Sequence, residues 1–457
     1  MASLSPLIAQ SNPRPNILFM MSDDHASHAI SAYGSKINKT PNIDRLGKEG
    51  VRLDNCFCTN SICVPSRASI LTGQYSQNNK VYTLDDKLDT KSRSVAKYLQ
   101  ADGYQTAMIG KWHLVTDPQG FDYWRILPGQ GAYYDPVFVD AAGRKKYEGY
   151  CTDLITDFSI DWLSNRNKEQ PFFMMCHHKA PHRAWDPAPK YKDFLKDQTI
   201  PEPANLYENL TGPKGPIRMR VGQDNTFSDL KQKPPEGLSG DGLRKWAYQL
   251  YIKDYLRCVQ SVDDSVGRIL DYLDNNNLRE NTLVVYTSDQ GFFLGDHGLY
   301  DKRLMYDEAL RMPFLARYPK EIKAGSTNSD IILNIDFAHT FMDFAGLGRD
   351  QYMDGESCRT NLQGRTAENW RQSMYYRYWM HDDSSHHVPA HYGVRTKQHK
   401  LICFPTGTPA WEFYDLVKDP KEMRNAVSDT AYAPTIAKLK KEMTRLQHKY
   451  NDEPAHF

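Results

Sequence analysis

The stretch Cys63-Val64-Pro65-Ser66-Arg67-Ala68-Ser69-Ile70-Leu71-Thr72-Gly73 is the string around which the 457-residue chain is read. A cysteine by itself is most simply a small buried thiol. That reading must here also account for Pro65, Ser66, Arg67 and Gly73 at their fixed spacing. Ser66 to Leu71 suits the start of a helix, whose first turn aims unpaired N–H groups at an anion. The string therefore offers a packed core thiol and, beside it, a helix start suited to an anion. The rest of the chain has to decide which of the two matters.

Four apolar runs elsewhere read as buried strands, and each ends in a polar cluster. Pro15 to Met21 leads into Ser22-Asp23-Asp24-His25, and Gly103 to Gly110 into Lys111-Trp112-His113. Pro171 to Cys176 leads into His177-His178-Lys179-Ala180-Pro181-His182, and Asn281 to Thr287 into Ser288-Asp289-Gln290-Gly291. In open α/β sheets, ligands bind beyond the carboxyl ends of the strands. Adjacent carboxylates such as Asp23 and Asp24 repel one another unless a cation lies between them. Oxygen donors suit calcium or magnesium, although a helix cap would use one of the two Asp. A Lys-x-His loop is usually solvated, and its place at a strand end is what sets Lys111 and His113 apart. Four such clusters at strand ends point to one site.

The cysteine string resembles the signature of the type I, formylglycine-dependent sulfatases, and the likeness runs from Pro15 to about Asn425. Thr40-Pro41-Asn42-Ile43-Asp44-Arg45-Leu46 is similar to the family's usual opening, and Glu412 to Leu416 with Asp419 to Glu422 to its closing segment. The resemblance implies an α/β fold of the alkaline-phosphatase type. Its core is a large mixed β-sheet flanked by helices, followed by a small C-terminal α+β subdomain with a short antiparallel sheet. It implies that Cys63 is oxidised to formylglycine by a maturation enzyme, and that one hydroxyl of the hydrate attacks sulfur. Arg67 would hold the hydrate, Lys111 and Lys302 the sulfate. His182 would protonate the leaving oxygen and His113 take the proton that expels sulfate. One calcium ion would be held by Asp23, Asp24, Asp289 and Gln290, with position 63 itself. Two departures stand out: Arg183-Ala184 follows His182 where the family has x-Pro, and Gln290 occupies a place more often Asn or His. The resemblance also implies a secreted or periplasmic enzyme.

Length and composition are compatible with this. The chain is long enough for one large domain and a smaller one, expected at residues 12–364 and 365–457. Lys+Arg 57 against Asp+Glu 56 leaves a net charge of +1, so no global field points to nucleic acid. An anionic substrate must be met by a local cluster. The eight cysteines show no zinc-ribbon spacing, and no apolar run is long enough to span a membrane. Leu7 to Gln10 reads equally as the tail of a trimmed signal peptide or as extraneous leading residues.

Aromatics make up 12% of the chain, enough for a sugar-binding surface or simply a packed core. Gly120 to Phe138 reads as an aromatic, Gly-rich loop over the active face. It is similar to the corresponding segment of sulfatases acting on glucosamine 6-sulfate and on algal polysaccharides. With His178, Arg303, and His387 and His391 of a histidine-rich loop, it supplies the expected contacts to a sulfated carbohydrate. Lys245 to Asn275 carries apolar residues at helical spacing, with Asp263-Asp264 on a solvated face. Two alternatives remain: a phosphonate or phosphodiester hydrolase of the same superfamily, and a catalytically silent protein that binds sulfated glycans.

Overall fold

The computed structural model describes residues 14–452, so the Leu7 to Gln10 stretch lies outside it. The four apolar runs form Asn16–Ser22, Gln105–Lys111, Phe172–His177 and Thr282–Ser288, all almost wholly buried. They are neighbours in a ten-stranded mixed sheet, in the order Thr282–Ser288, Asn16–Ser22, Phe172–His177, Gln105–Lys111. All three pairings are parallel. Register places Ser22 opposite Ser288, Met21 opposite His177, and Gly110 opposite His177. Hence Asp23, Asp289, His178 to His182 and Lys111 all leave the sheet along one edge. Parallel strands need helical crossovers that cover both faces, which is why these runs are continuously apolar rather than alternating.

Two helices shape that edge. Cys63–Thr72 is buried at all ten positions, so it shows no polar face that periodicity could detect. It ends at Gly73, whose φ of 68° suits glycine as the left-handed C-terminal residue. Gly240–Asn275 runs 36 residues, about 54 Å. Its buried stripe includes Tyr248, Tyr251, Tyr255, Val259, Val262, Val266 and Ile269.

Asp263, expected on a solvated face, is buried. Its carboxylate accepts the backbone N–H groups of Asn42 and Ile43, at 3.1 and 2.8 Å, and the Asn42 side-chain amide. It thus caps the helix Pro41–Lys48 from another element, and only Asp264 faces outward, bonded to Lys190 and Tyr191. Asp263→Ala is expected to cost about 2 kcal/mol, since two helix-start donors lose their acceptor. Denaturant midpoints should fall while turnover per folded molecule stays unchanged.

The Gly120 to Phe138 segment is not a loop throughout. Tyr123–Leu127 joins the main sheet parallel to Gln105–Lys111. Of the rest, Tyr133 and Tyr134 lie against Tyr150, and the Tyr133 hydroxyl donates to the His182 carbonyl at 2.6 Å, while Gly129, Gln130, Ala132 and Asp135 are exposed. These rings brace the site from behind. Residues 373–415 form a four-stranded antiparallel sheet. It touches the site through Tyr376, whose hydroxyl accepts from Ser61 N at 3.1 Å and donates to the Arg303 carbonyl. No helix among the described residues is long and apolar enough to cross a membrane.

Candidate active site

Three buried carboxylates occupy the sheet edge. Oxygens of Asp23, Asp24 and Asp289 lie within 4.8 Å of one another. Three buried cations answer them. Lys302 Nζ is 2.5 and 2.7 Å from the two Asp24 oxygens, Lys111 Nζ grips Asp23, and Arg67 places Nε and Nη2 each 3.0 Å from Asp289 Oδ2. Arg67 Nη2 also lies 3.5 Å from Asp23. The Ser-Arg pair of the quoted string is thereby explained locally. Arg67 braces Asp289 by its side chain, and the Ser66 hydroxyl donates to the Asp289 carbonyl.

Burial pushes the Asp24 carboxyl up to about 7, with Asp23 and Asp289 adding repulsion against the pull of Lys302. Asp289 is raised for the same reasons, with Arg67 opposing. Asp23 is buried too, yet Lys111, His182 and Arg67 hold it well below the usual carboxylate range. Carboxylates that remain hard to ionise beside three cations can still accept positive charge. Gln290 adds a second sign: its Nε2 donates to Asp24 and Asp289, while its buried Oε1 has no hydrogen-bond partner. A half-turn of that amide would offer the oxygen to the point the carboxylates face. Four oxygen-bearing side chains converging there fit a hard divalent cation such as calcium.

Cys63 opens its helix on the same point. Its Sγ is 3.5 Å from Asp23 Oδ1, and it shares a 4.8 Å sphere with Asp23 and His182. Burial, then Asp23, pushes the thiol up to about 12. His182 Nδ1 donates to the Arg183 carbonyl at 2.5 Å, which leaves Nε2 facing the cluster, 3.8 Å from Asp24. Burial and then the Lys111 cation hold His182 well below the usual histidine range, and His113 likewise. His113 adopts a left-handed backbone, φ 58°, and its buried Nδ1 lacks a partner. Such strain in a non-glycine residue marks a side chain whose direction matters. The structure thus brings Cys63, Arg67, Lys111, His113, His182, Lys302, Asp23, Asp24, Asp289 and Gln290 together.

The expected sugar contacts are placed differently. His178 points away from the cluster, with Nε2 3.1 Å from Ser265 of the long helix, because its neighbour His177 takes the site-facing position. His177 Nδ1 donates to the Lys111 carbonyl and sits 3.5 Å from Arg67. His391 is fully buried among Tyr376, Tyr378 and Phe404, a core ring of the C-terminal sheet. His387 turns to Asp382 on its own loop at 2.6 Å. It is His386, one residue earlier, that reaches Arg303 Nη2 at 2.9 Å and Arg183 Nη2 at 3.2 Å. Arg303 itself adjoins Lys302 and also donates to the Tyr378 hydroxyl. Sequence reasoning further missed Gln130, whose Oε1 accepts from Lys111 Nζ at 2.5 Å. Its place in a Pro-Gly-Gln-Gly turn was the available signal.

The sulfatase family profile matches residues 15–347, and a profile described as N-sulphoglucosamine sulphohydrolase, C-terminal, matches residues 295–449. The chain is 43% identical to the N-acetylglucosamine-6-O-sulfatase of Bacteroides thetaiotaomicron, over 96% of this chain and 87% of that protein. It is 29% identical to the human N-acetylglucosamine-6-sulfatase, over 81% and 68%. Among solved structures it is similar to BT4656 in complex with its substrate D-glucosamine-2-N,6-O-disulfate. The TM-score is 0.92 at 42% identity, over 96% of this chain and 99% of the other. A phosphonate monoester hydrolase from Agrobacterium radiobacter shares the fold, with TM-score 0.77 at 21% identity over 96% of each chain.

Proposed function

Because the chain belongs to the sulfatase family, we propose that it hydrolyses the 6-O-sulfate of an N-substituted glucosamine within a sulfated carbohydrate. The observation that carries this is the Cys63 sphere. One potential nucleophile position lies within 4.8 Å of a histidine and a carboxylate, with Lys111 and Lys302 seated on the same carboxylate cluster. The relatives named for glucosamine 6-sulfate supply the sugar.

Asp23, Asp24, Asp289 and Gln290 would hold a calcium ion, which supplies positive charge against the sulfate oxygens. Oxidised to formylglycine by a maturation enzyme, position 63 supplies the nucleophilic hydroxyl of a hydrated aldehyde. The protein's own residues do the rest. Lys111 and Lys302 neutralise the sulfate so that a nucleophile can approach it, and stabilise charge that builds in the transition state. Arg67 braces Asp289 and holds the signature helix in place. His182 holds its Nε2 toward the leaving oxygen. An anionic ester seated beside it opposes the Lys111 field and allows it to carry the proton that it donates. His113 accepts the proton when sulfate leaves. Arg303 and the residue 365–457 unit border the sugar side of the cleft. We place the enzyme outside the cytoplasm, secreted or periplasmic, where sulfated polysaccharides are met.

The test is sulfate release from N-acetylglucosamine 6-sulfate, glucosamine-2-N,6-O-disulfate, galactose 6-sulfate and a phosphonate monoester, using protein produced with a formylglycine-generating partner. The two glucosamine esters are expected to turn over at least 100-fold faster than the others, since a misplaced hydroxyl leaves buried polar groups unpaired. Faster turnover of the phosphonate ester would overturn the proposal.

A further inference from the structure

The C-terminal helix Ala433–Lys449 has two faces of different chemistry. Ile436, Leu439, Met443 and Leu446 are buried against the four-stranded sheet. Lys438, Lys441, Arg445 and Lys449 are exposed, and their spacing of three, four and four residues sets them in one line. The line is about 16 Å long. It borders two clefts, of about 770 and 780 Å³, that meet at Arg445. Lys397 and Gln398, in the turn between two strands, form the opposite wall of the first cleft.

The charge is local. Seven of the ten Asp, Glu, Lys and Arg residues lining the two clefts are cationic, in a protein whose net charge is only +1. Four of the seven are paired internally: Arg445 with Glu442 at 2.7 Å, Lys397 with Asp330 at 3.0 Å, Arg349 with Glu356 at 2.8 Å, and Arg371 with Asp336. Lys438 and Lys441 have no carboxylate within 4.0 Å among the described residues. Gln372, Ser373 and Thr396 also line the first cleft. A linear row of cations beside an elongated polar cleft matches an extended anionic chain better than a compact ion. Ser373 lies at one end of the strand Ser373–Tyr378, and Tyr378 at the other end bonds Arg303. About 17 Å of strand therefore separates the groove from the end that bonds Arg303.

We propose that this groove is a second, non-catalytic binding site for a sulfated polysaccharide chain. The proposal rests on the substrate being a sulfated carbohydrate. A chain held in the groove raises the effective concentration of its own sulfated sugars near Cys63, and a monosaccharide gains nothing.

The experiment titrates a fluorescein-labelled heparin-type decasaccharide into the wild-type protein and into the K438E/K441E/R445E variant, over a series of salt concentrations. The turnover of a 6-sulfated glucosamine monosaccharide is measured in parallel. The variant is expected to bind the decasaccharide at least tenfold more weakly. The slope of log affinity against log salt should shrink by about 3, one for each lost cation contact. Monosaccharide turnover should stay at the wild-type value. The milder K438Q/K441Q variant should show the same direction at smaller size, which guards against misfolding of the triple variant. Unchanged decasaccharide affinity in both variants overturns the groove. An equally charged DNA oligonucleotide that binds as tightly, and loses affinity equally in the variant, overturns the glycan assignment. Loss of all sugar turnover in the wild type would sink the catalytic reading, while groove binding would still be read from the titrations.

Discussion

Replacing Cys63 by alanine is expected to lower sulfate release by about 10⁴-fold or more, the usual scale for removing a covalent nucleophile. The thermal midpoint should move little. The side chain is small, and its sulfur makes one weak polar contact, 3.5 Å to Asp23. The companion measurement is peptide mass spectrometry. In active protein, the peptide spanning residues 59–80 should be about 18 Da lighter than its encoded mass, the change from thiol to aldehyde. Serine at position 63 should behave as alanine does, because a hydroxymethyl group cannot form a hydrate. Retention of full activity by Cys63→Ala would remove the nucleophile from position 63. An unmodified thiol in fully active wild-type protein would remove the need for formylglycine.

The second large effect concerns the cation. Chelation of divalent ions is expected to abolish turnover without unfolding the protein, because Lys111, Lys302 and Arg67 already neutralise the three carboxylates. Restoring calcium at 100 times its Kd should add about 2.7 kcal/mol of stability. A sharper form uses Lys302→Met. In chelator this substitution leaves Asp24, fully buried, without its main partner, and should cost about 3–5 kcal/mol. In saturating calcium the same substitution should cost much less, since the ion supplies the missing charge. The measurement is a pair of denaturant unfolding curves with and without calcium. An equal cost in both conditions would show that Asp24 is not a cation ligand. A cost in chelator near zero would show that Lys302 is not its partner.

Lys302 and Lys111 are thus in competition. They pair with the buried carboxylates, and under the proposed mechanism they would also have to meet the sulfate ester. A cation held by Asp23, Asp24 and Asp289 would resolve the conflict by taking over the carboxylates, leaving both lysines for the anion. The Gln290 Oε1, buried with no hydrogen-bond partner, is consistent with that arrangement.

How much of this was legible in sequence follows from what each element depends on. The four buried strands were legible because burial on both faces makes each one a continuous apolar run. Their polar ends were legible as one site, because parallel order brings carboxyl ends to a common edge. Local chain chemistry determined these features, and the helix Gly240–Asn275 as well, through its regular stripe. Other features depended on neighbours far apart in the chain. Asp263 became a helix cap only because Pro41–Lys48 docks against the long helix. His177 faces Arg67, and His178 faces Ser265, because successive strand residues point to opposite sides. No composition signal separates two adjacent histidines. His386 rather than His387 meets Arg303 because a turn closed by the His386 N–H to Asp383 directs it inward. The helix Cys63–Thr72 had no periodicity to read, since every face of it is covered. Sequence alone therefore determined which residue types stand at the strand ends. Only the tertiary structure decided which of them share a charge, because those pairings join residues up to 278 positions apart, where sheet order sets the distances.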